Sequence, residues 1–279
     1  MRQPEDRNGG QAAVWNGSGG LGWVEIQDVT DRLFQPLEEL LVDAIDAGPA
    51  GRVLDVGCGA GVTTLAIARR LGAGGSCTGI DISEPLISAA RNRAEREDVG
   101  ARFIQADAQR HTFEPASFDM IVSRFGVMFF DDTAQAFANL RTATDQGGRL
   151  RLIVWRSPAE NPFMTTAEQA AAPLVTIPPR EPDAPGQFAL ADEQRVRTLV
   201  EKSDWSRIEI QPIDVVCTMP EDDLVRYLTQ LGPLGRALAE MDTAATDRVV
   251  EAVRPAFDRY VEGSEIRFTA ACWMVAAQA

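Results

Sequence analysis

One histidine, His111, and one lysine, Lys202, occur in 279 residues. The four cysteines (Cys58, Cys77, Cys217, Cys272) are scattered, with no Cys-x-x-Cys spacing. This poverty of imidazole and paired thiol speaks against a protein-bound zinc site, so no metal is expected. The cysteines read as small core residues of a reducing compartment, not as a disulfide framework. No apolar run approaches the ~20 residues that span a bilayer, and Met1 to Gly20 is polar and glycine-rich, unlike a secretion signal. Positive charge is also short, with 27 Lys and Arg against 41 Asp and Glu. Such a surface repels phosphate and argues against a nucleic-acid partner. The chain is therefore expected to be soluble and cytoplasmic, without membrane insertion. Its length suits one α/β domain with an insertion or cap.

Against these absences stands one dense signal. Residues 53–61 read Val-Leu-Asp-Val-Gly-Cys-Gly-Ala-Gly, and Gly79-Ile80-Asp81 closes a second apolar run. A strand over Arg52 to Val56 enters a glycine-rich turn that opens onto a helix over Val62 to Leu71. A second strand, Cys77 to Ile80, delivers the carboxylate of Asp81. In an open parallel sheet this arrangement builds a nucleoside site: glycines let backbone approach the ligand, and the acid accepts hydrogen bonds from ribose hydroxyls. Dinucleotide-binding turns carry Gly-x-Gly-x-x-Gly. Here the glycines fall at Gly57, Gly59 and Gly61, with Val62 where that third glycine belongs. Asp55, two residues before the first glycine, suits a ligand with a positive group better than one with two phosphates.

Along the rest of the chain, residues 1–13 read as disordered by composition. The stretch Trp15 to Trp23 reads as a glycine-rich loop pinned by two aromatic anchors, or as a flap closing over a ligand. Helical spacing runs from Asp31 to Ala47 and stops at Gly48-Pro49. A helix over Glu84 to Glu97 has Ser83 as N-cap and Pro85 in its first turn. Further strands are expected over Arg102 to Ala106, Phe118 to Ser123 and Arg149 to Trp155, with a helix from Thr133 to Thr144. Residues 156–189 are dense in proline. After them come a helix over Ala191 to Lys202 and strands over Ile208 to Cys217 and Glu265 to Ala276, with helices between those two strands.

The alternation predicts an α/β, Rossmann-like, seven-stranded and mostly parallel sheet with helices on both faces and a helical cap between the last two strands. The expected organisation is a tail (1–13), a flap and helix (14–50), a core (51–219 and 263–279) and the cap (220–262). The cap and residues 156–189 are expected to border an acceptor pocket.

Asp-x-Gly-x-Gly-x-Gly followed by Gly-Ile-Asp resembles the first two motifs of the class I S-adenosylmethionine-dependent methyltransferases. Trp15-Asn16-Gly17, the run from Ser117 to Phe130, Gly147-Gly148-Arg149-Leu150 and Phe188 to Asp192 resemble the bacterial branch related to the ubiquinone/menaquinone-biosynthesis methyltransferases, over about residues 14–278. Ser203-Asp204-Trp205 departs from the Ala-Gly-Phe of many relatives. The resemblance implies S-adenosyl-L-methionine as cofactor and in-line methyl transfer to an O, N or C atom of a small-molecule acceptor, without naming that acceptor.

The resemblance also implies site roles. Asp81 would hold the ribose, Ile82 would cover the adenine, and Asp107 with Ala108 would meet its amino edge. Asp55 would orient the amino-acid end, while Gly57, Cys58, Gly59 and Gly61 form the close-approach turn and offer backbone groups. Ser123 and Phe125 would lie at the methionine portion, with Trp15 on the flap. Plainer readings stand beside these: a helix cap for Asp81, a solvated loop acid for Asp107, core packing for Ile82.

No general base is evident. His111 reads as a surface residue, Arg124 and Arg156 as salt-bridge partners before anchors for an anionic acceptor, and Tyr227 as a candidate lining residue on the cap. Positioning supplies ~7–11 kcal/mol in such reactions and a base ~3–5 kcal/mol, so lack of a triad is no objection. A cofactor-binding protein of the same fold with a non-methylating or regulatory role stays open, as does a homo-oligomer.

Overall fold

The computed structural model describes residues 8–48, 50–181 and 184–279, with backbone alone for residues 8 and 9. Residues 1–7 of the expected tail and Pro49 of the expected helix stop lie outside the described residues. Two short helices, α1 (Asn8–Asn16) and α2 (Ser18–Glu25), and a longer one, α3 (Gln27–Asp43), precede the first strand. Strands and helices then alternate as β1 (Arg52–Val56), α4 (Val62–Leu71), β2 (Ser76–Asp81), α5 (Glu84–Glu97), β3 (Arg102–Gln105), β4 (Phe118–Arg124), α6 (Thr133–Ala143) and β5 (Thr144–Trp155). Helices α7 (Pro162–Ala171) and α8 (Glu193–Lys202) lead to β6 (Ser206–Pro220). Then come α9 (Leu224–Gln230), α10 (Gly232–Leu238), α11 (Thr243–Val253), a two-residue β7 (Val261–Glu262) and β8 (Glu265–Gln278).

The sheet order is β3-β2-β1-β4-β5-β8-β6, with β7 paired to β8 outside that path. Strands β1 to β5 are parallel, and β8 runs antiparallel to both of its long neighbours. This is the expected mostly parallel sheet. Its central strands are apolar because helices cover both faces: Val53, Leu54, Met120, Ile121 and Val122 are fully buried. The apolar stripe of α3 (Val29, Leu33, Phe34, Leu37, Leu41) lies across β4, β5 and β6. Strand order reverses between β1 and β4, which places a crevice at the carboxyl ends of β1, β2 and β4. No helix among the described residues is long and apolar enough to cross a membrane.

Local signals hold at several helix starts. Ser83 Oγ accepts from Leu86 N with Pro85 in the first turn of α5, and Asp132, Asp192 and Asp242 cap α6, α8 and α11. Elsewhere the structure differs from expectation. Residues 8–13, expected to be disordered, belong to α1. The glycine-rich stretch after Asn16 is α2 rather than a loop. Its glycines answer to packing: a Cβ on Gly20 would lie 2.7 Å from Ser83 Oγ, and one on Gly22 would lie 2.5 Å from the Gln230 carbonyl oxygen. Helix α3 starts earlier than Asp31 and ends at Asp43, where Ile45 N turns back to Val42 O and the Ile45 side chain enters the core.

Helix α7, from the proline-dense segment, joins the helices between β6 and β8 in one aromatic cluster. The Phe163 ring stacks on Phe268 at 3.9 Å and meets Phe257 edge-on at 5.4 Å. Phe163→Ala is expected to lower stability by about 3–5 kcal/mol in urea denaturation, because the cavity it leaves is walled by rigid rings.

Candidate functional site

Strand β1 ends in a turn with three left-handed glycines, Gly57 (φ 69°), Gly59 (φ 55°) and Gly61 (φ 84°). A Cβ on Gly57 would lie 2.5 Å from Gly126 Cα, so the turns after β1 and β4 meet backbone to backbone. Only glycine permits that approach. Gly61 has another task than the expected one. A Cβ there would strike Ala90 Cβ at 2.9 Å and the Phe103 ring at 3.0 Å, so its missing side chain lets the start of α4 pack on α5 and β3.

The backbone donors expected at the turn are already used. Gly57 N and Cys58 N both donate to Ile80 O, at 2.8 and 3.2 Å. Gly59 N donates to Asp81 Oδ2 at 2.9 Å, while Asp81 Oδ1 accepts from Ser83 N at 2.9 Å. Burial pushes the Asp81 carboxyl up from its ordinary pKa, and backbone hydrogen bonds from Ser83, Gly59 and Ile82 pull against that. Each Asp81 oxygen takes one of those two N–H groups and keeps accepting capacity for a further donor.

Asp55 does not reach the crevice. It is 1% exposed, and its Oδ2 accepts from Thr64 Oγ1 at 2.7 Å behind the turn. Burial raises its pKa to about 6, against the pull of the Thr64 hydrogen bond and the Arg124 charge. Ser123 is likewise buried, donating from Oγ to Val56 O at 2.7 Å and accepting from Val127 N at 3.3 Å. It ties the ends of β1 and β4 together. Asp55, Gly61 and Ser123 thus support the site from beneath.

The cleft itself encloses about 1130 Å³ out to its open mouth. Its wall includes Trp15, Gly57, Cys58, Gly59, Asp81, Ile82, Asp107, Ala108 and Phe125 from the predicted set. Asp107 Oδ1 accepts from Gln109 N at 2.9 Å. Phe125 adopts a left-handed backbone (φ 73°), held by stacking on Trp155 at 4.8 Å and an edge contact with Phe34 at 5.6 Å. Trp15 packs against Trp23 at 6.4 Å and edge-on to Phe129 at 5.1 Å.

Helix α1 is fastened beside Asp81. Ser83 Oγ donates to Trp15 O at 2.6 Å, Glu84 N donates to Asn16 Oδ1 at 2.8 Å, and Asn16 Nδ2 donates to Ile82 O at 3.1 Å.

Sequence reasoning missed Gln11, Gln27, Asp31 and Phe34, which also line the cleft. The available signal was the polar pair Gln27 and Asp31, four residues apart on one face of α3 beside its apolar stripe. Among the described residues none beyond Asp131 lines the cleft, so the cap and the proline-dense segment are not part of its wall. Tyr227 is in the cap core, its hydroxyl donating to Met164 Sδ at 3.5 Å. His111 packs edge-on to Phe113 outside the cleft. Arg156 pairs with Glu160 and with Asp214 at 2.9 Å. All four cysteines are buried and free.

Residues 53–148, which hold the turn and both strand-end acids, match a family described as a methyltransferase domain. Over 118 residues the chain is 35% identical to aklanonic acid methyltransferase DauC of Streptomyces sp. strain C5, covering 42% of this chain and 54% of that protein. It is 31% identical over 120 residues to demethylmenaquinone methyltransferase of Thermus thermophilus, covering 43% and 54% respectively. The chain thus spans about half the length of these curated relatives. In fold it is similar to phosphoethanolamine N-methyltransferase 2 of Haemonchus contortus, solved with S-adenosyl-L-methionine. The TM-score is 0.57 at 18% identity, over 98% of this chain and 59% of that one.

The buried acid beneath this turn has a measurable signature. A carboxyl whose folded pKa lies above its unfolded value favours the folded state at low pH, and that contribution is lost as pH rises through the folded pKa. Relative to Asp55→Asn, the native protein is expected to lose up to about 3 kcal/mol of stability between pH 4 and 6.5. Chemical denaturation across that range checks it.

Proposed function

We propose that the protein is an S-adenosyl-L-methionine-dependent methyltransferase acting on an O, N or C atom of a small-molecule acceptor. The observation that carries this reading is Asp81. A carboxylate whose two oxygens are anchored by the backbone N–H groups of Gly59 and Ser83, with accepting capacity left for further donors, suits the hydroxyls of a ribose. Ile82 and Ala108 provide apolar surface for an adenine, and Asp107 at the next strand end provides an acceptor for its amino group. The touching glycines Gly57 and Gly126 keep the floor free of side chains. A pyrophosphate fits poorly, because the N–H groups of Gly57, Cys58 and Gly59 are taken by Ile80 and Asp81. That argues against a nicotinamide dinucleotide.

S-adenosyl-L-methionine held here supplies an electrophilic methyl group on a sulfonium. The chain's own contribution is to orient and to exclude water. Asp81 fixes the nucleoside, while Trp15, Trp23 and Phe129 line the cleft with apolar rings, Trp15 being held by the α1 latch onto Ser83 and Glu84. An aromatic wall of this kind favours a flat, largely apolar acceptor. Relatives named for aklanonic acid and demethylmenaquinone support the small-molecule class.

Asp81→Ala is expected to weaken S-adenosylhomocysteine binding by about 1–3 kcal/mol in calorimetry. Unchanged affinity would remove the ribose assignment. Labelled methyl transfer to a panel of flat aromatic acceptors tests the reaction; binding without transfer to any of them would favour the non-methylating role.

A further inference from the structure

The cleft raises a question of charge. An amino-acid tail carries an ammonium and a carboxylate, and the groups expected to receive it are not available. Asp55 is sealed behind the turn with Thr64, and the N–H groups of Gly57, Cys58 and Gly59 are spent on β2. On the α3 side, however, the wall holds one group of each sign. Arg124, at the end of β4, is the one basic side chain lining the cleft among the described residues. Its Nη1 donates to Phe34 O at 3.2 Å, and it forms no ion pair among the described residues. Asp31, one turn before Phe34, lines the cleft beside it; burial pulls the Arg124 pKa down, and the charges of Glu38 first and Asp31 next oppose that.

Asp31 is also held in place. Its Oδ2 accepts from Arg93 Nη2 at 2.6 Å, and the same nitrogen donates to Gln27 Oε1 at 3.0 Å. Oδ1 is not used by Arg93. Burial pushes the Asp31 carboxyl up from its ordinary pKa, with the Arg93 charge opposing it, so a further cation at Oδ1 would stabilise the ionised form. Of the remaining acids of the wall, Asp81 ends β2 while Asp107 and Asp131 follow β3 and β4, and none belongs to α3.

We infer that Asp31 and Arg124 hold the zwitterionic tail of the cofactor, Asp31 through the ammonium and Arg124 through the carboxylate; this rests on the function proposed above. Asp31 is then a specificity residue, separating the full cofactor from nucleosides that lack the tail.

The test is calorimetry with three ligands: S-adenosylhomocysteine, its analogue lacking only the amine, and methylthioadenosine, which lacks the tail. Asp31→Asn is expected to weaken S-adenosylhomocysteine about tenfold or more, while methylthioadenosine changes less than about twofold. Removing the amine from the ligand should cost the native protein about tenfold and cost Asp31→Asn nothing further, the non-additivity of a direct pair. Arg124→Gln should weaken S-adenosylhomocysteine and the amine-free analogue alike and spare methylthioadenosine. Additive losses, or an Asp31→Asn protein that binds S-adenosylhomocysteine as the native one does, would overturn the inference. Should a variant fail to fold, the native protein still decides: equal affinity for the ligands with and without the amine sinks the Asp31 assignment. A native protein that binds none of the three sinks the proposed function itself.

Discussion

The last two residues of β2 hold the site together. The carbonyl of Ile80 receives the N–H groups of Gly57 and Cys58, and the carboxylate of Asp81 receives those of Gly59 and Ser83. Turn, strand end and the entry to α5 are thereby fixed to one another before any ligand arrives. The arrangement uses an acid whose burial is unfavourable, and its cost is offset by charge-assisted bonds from fixed backbone donors. With the N–H groups of Gly57, Cys58 and Gly59 committed inward, this part of the turn offers a ligand shape and close approach.

Around that stitch the acids divide by depth. Asp55 lies beneath the floor with Thr64, Asp81 stands at its edge, Asp107 borders the far wall and Asp31 faces in from α3. One residue type therefore serves as buried support, nucleoside clasp and cleft lining. The distinction comes from what covers each carboxylate and from the donors that reach it. The first three helices matter as much as the sheet: α1 is latched to Ser83, Glu84 and Ile82, and α3 brings Asp31 and Phe34 to the cleft.

Much of this was legible in the residues. The strand–turn–helix alternation, the Ser83 cap with Pro85, and the strand-end positions of Asp81, Asp107 and Ala108 depend on local pattern, and local pattern is what a sequence displays. Depth is not local. Asp55 and Ser123 sit at strand positions that point away from the crevice or into the seam between β1 and β4. Gly61 occupies a motif position but answers to Ala90 and Phe103, which are distant in sequence. The glycines of α2 mark close helix contacts with Ser83 and Gln230, and in one dimension these look the same as loop glycines. The place of the cap is equally non-local: α7 and the helices after β6 bury their aromatic residues among themselves around Phe163, and α1 and α2 occupy the cleft wall.

The Trp15–Trp23 pair has a practical corollary. Two of the five tryptophans stand on the cleft wall, and a third, Trp155, backs the Phe125 ring that faces it. Ultraviolet emission from the unlabelled polypeptide should therefore respond to occupancy. The molecule carries its own fluorophores where a visitor would lodge, so association and release can be followed optically with no dye attached.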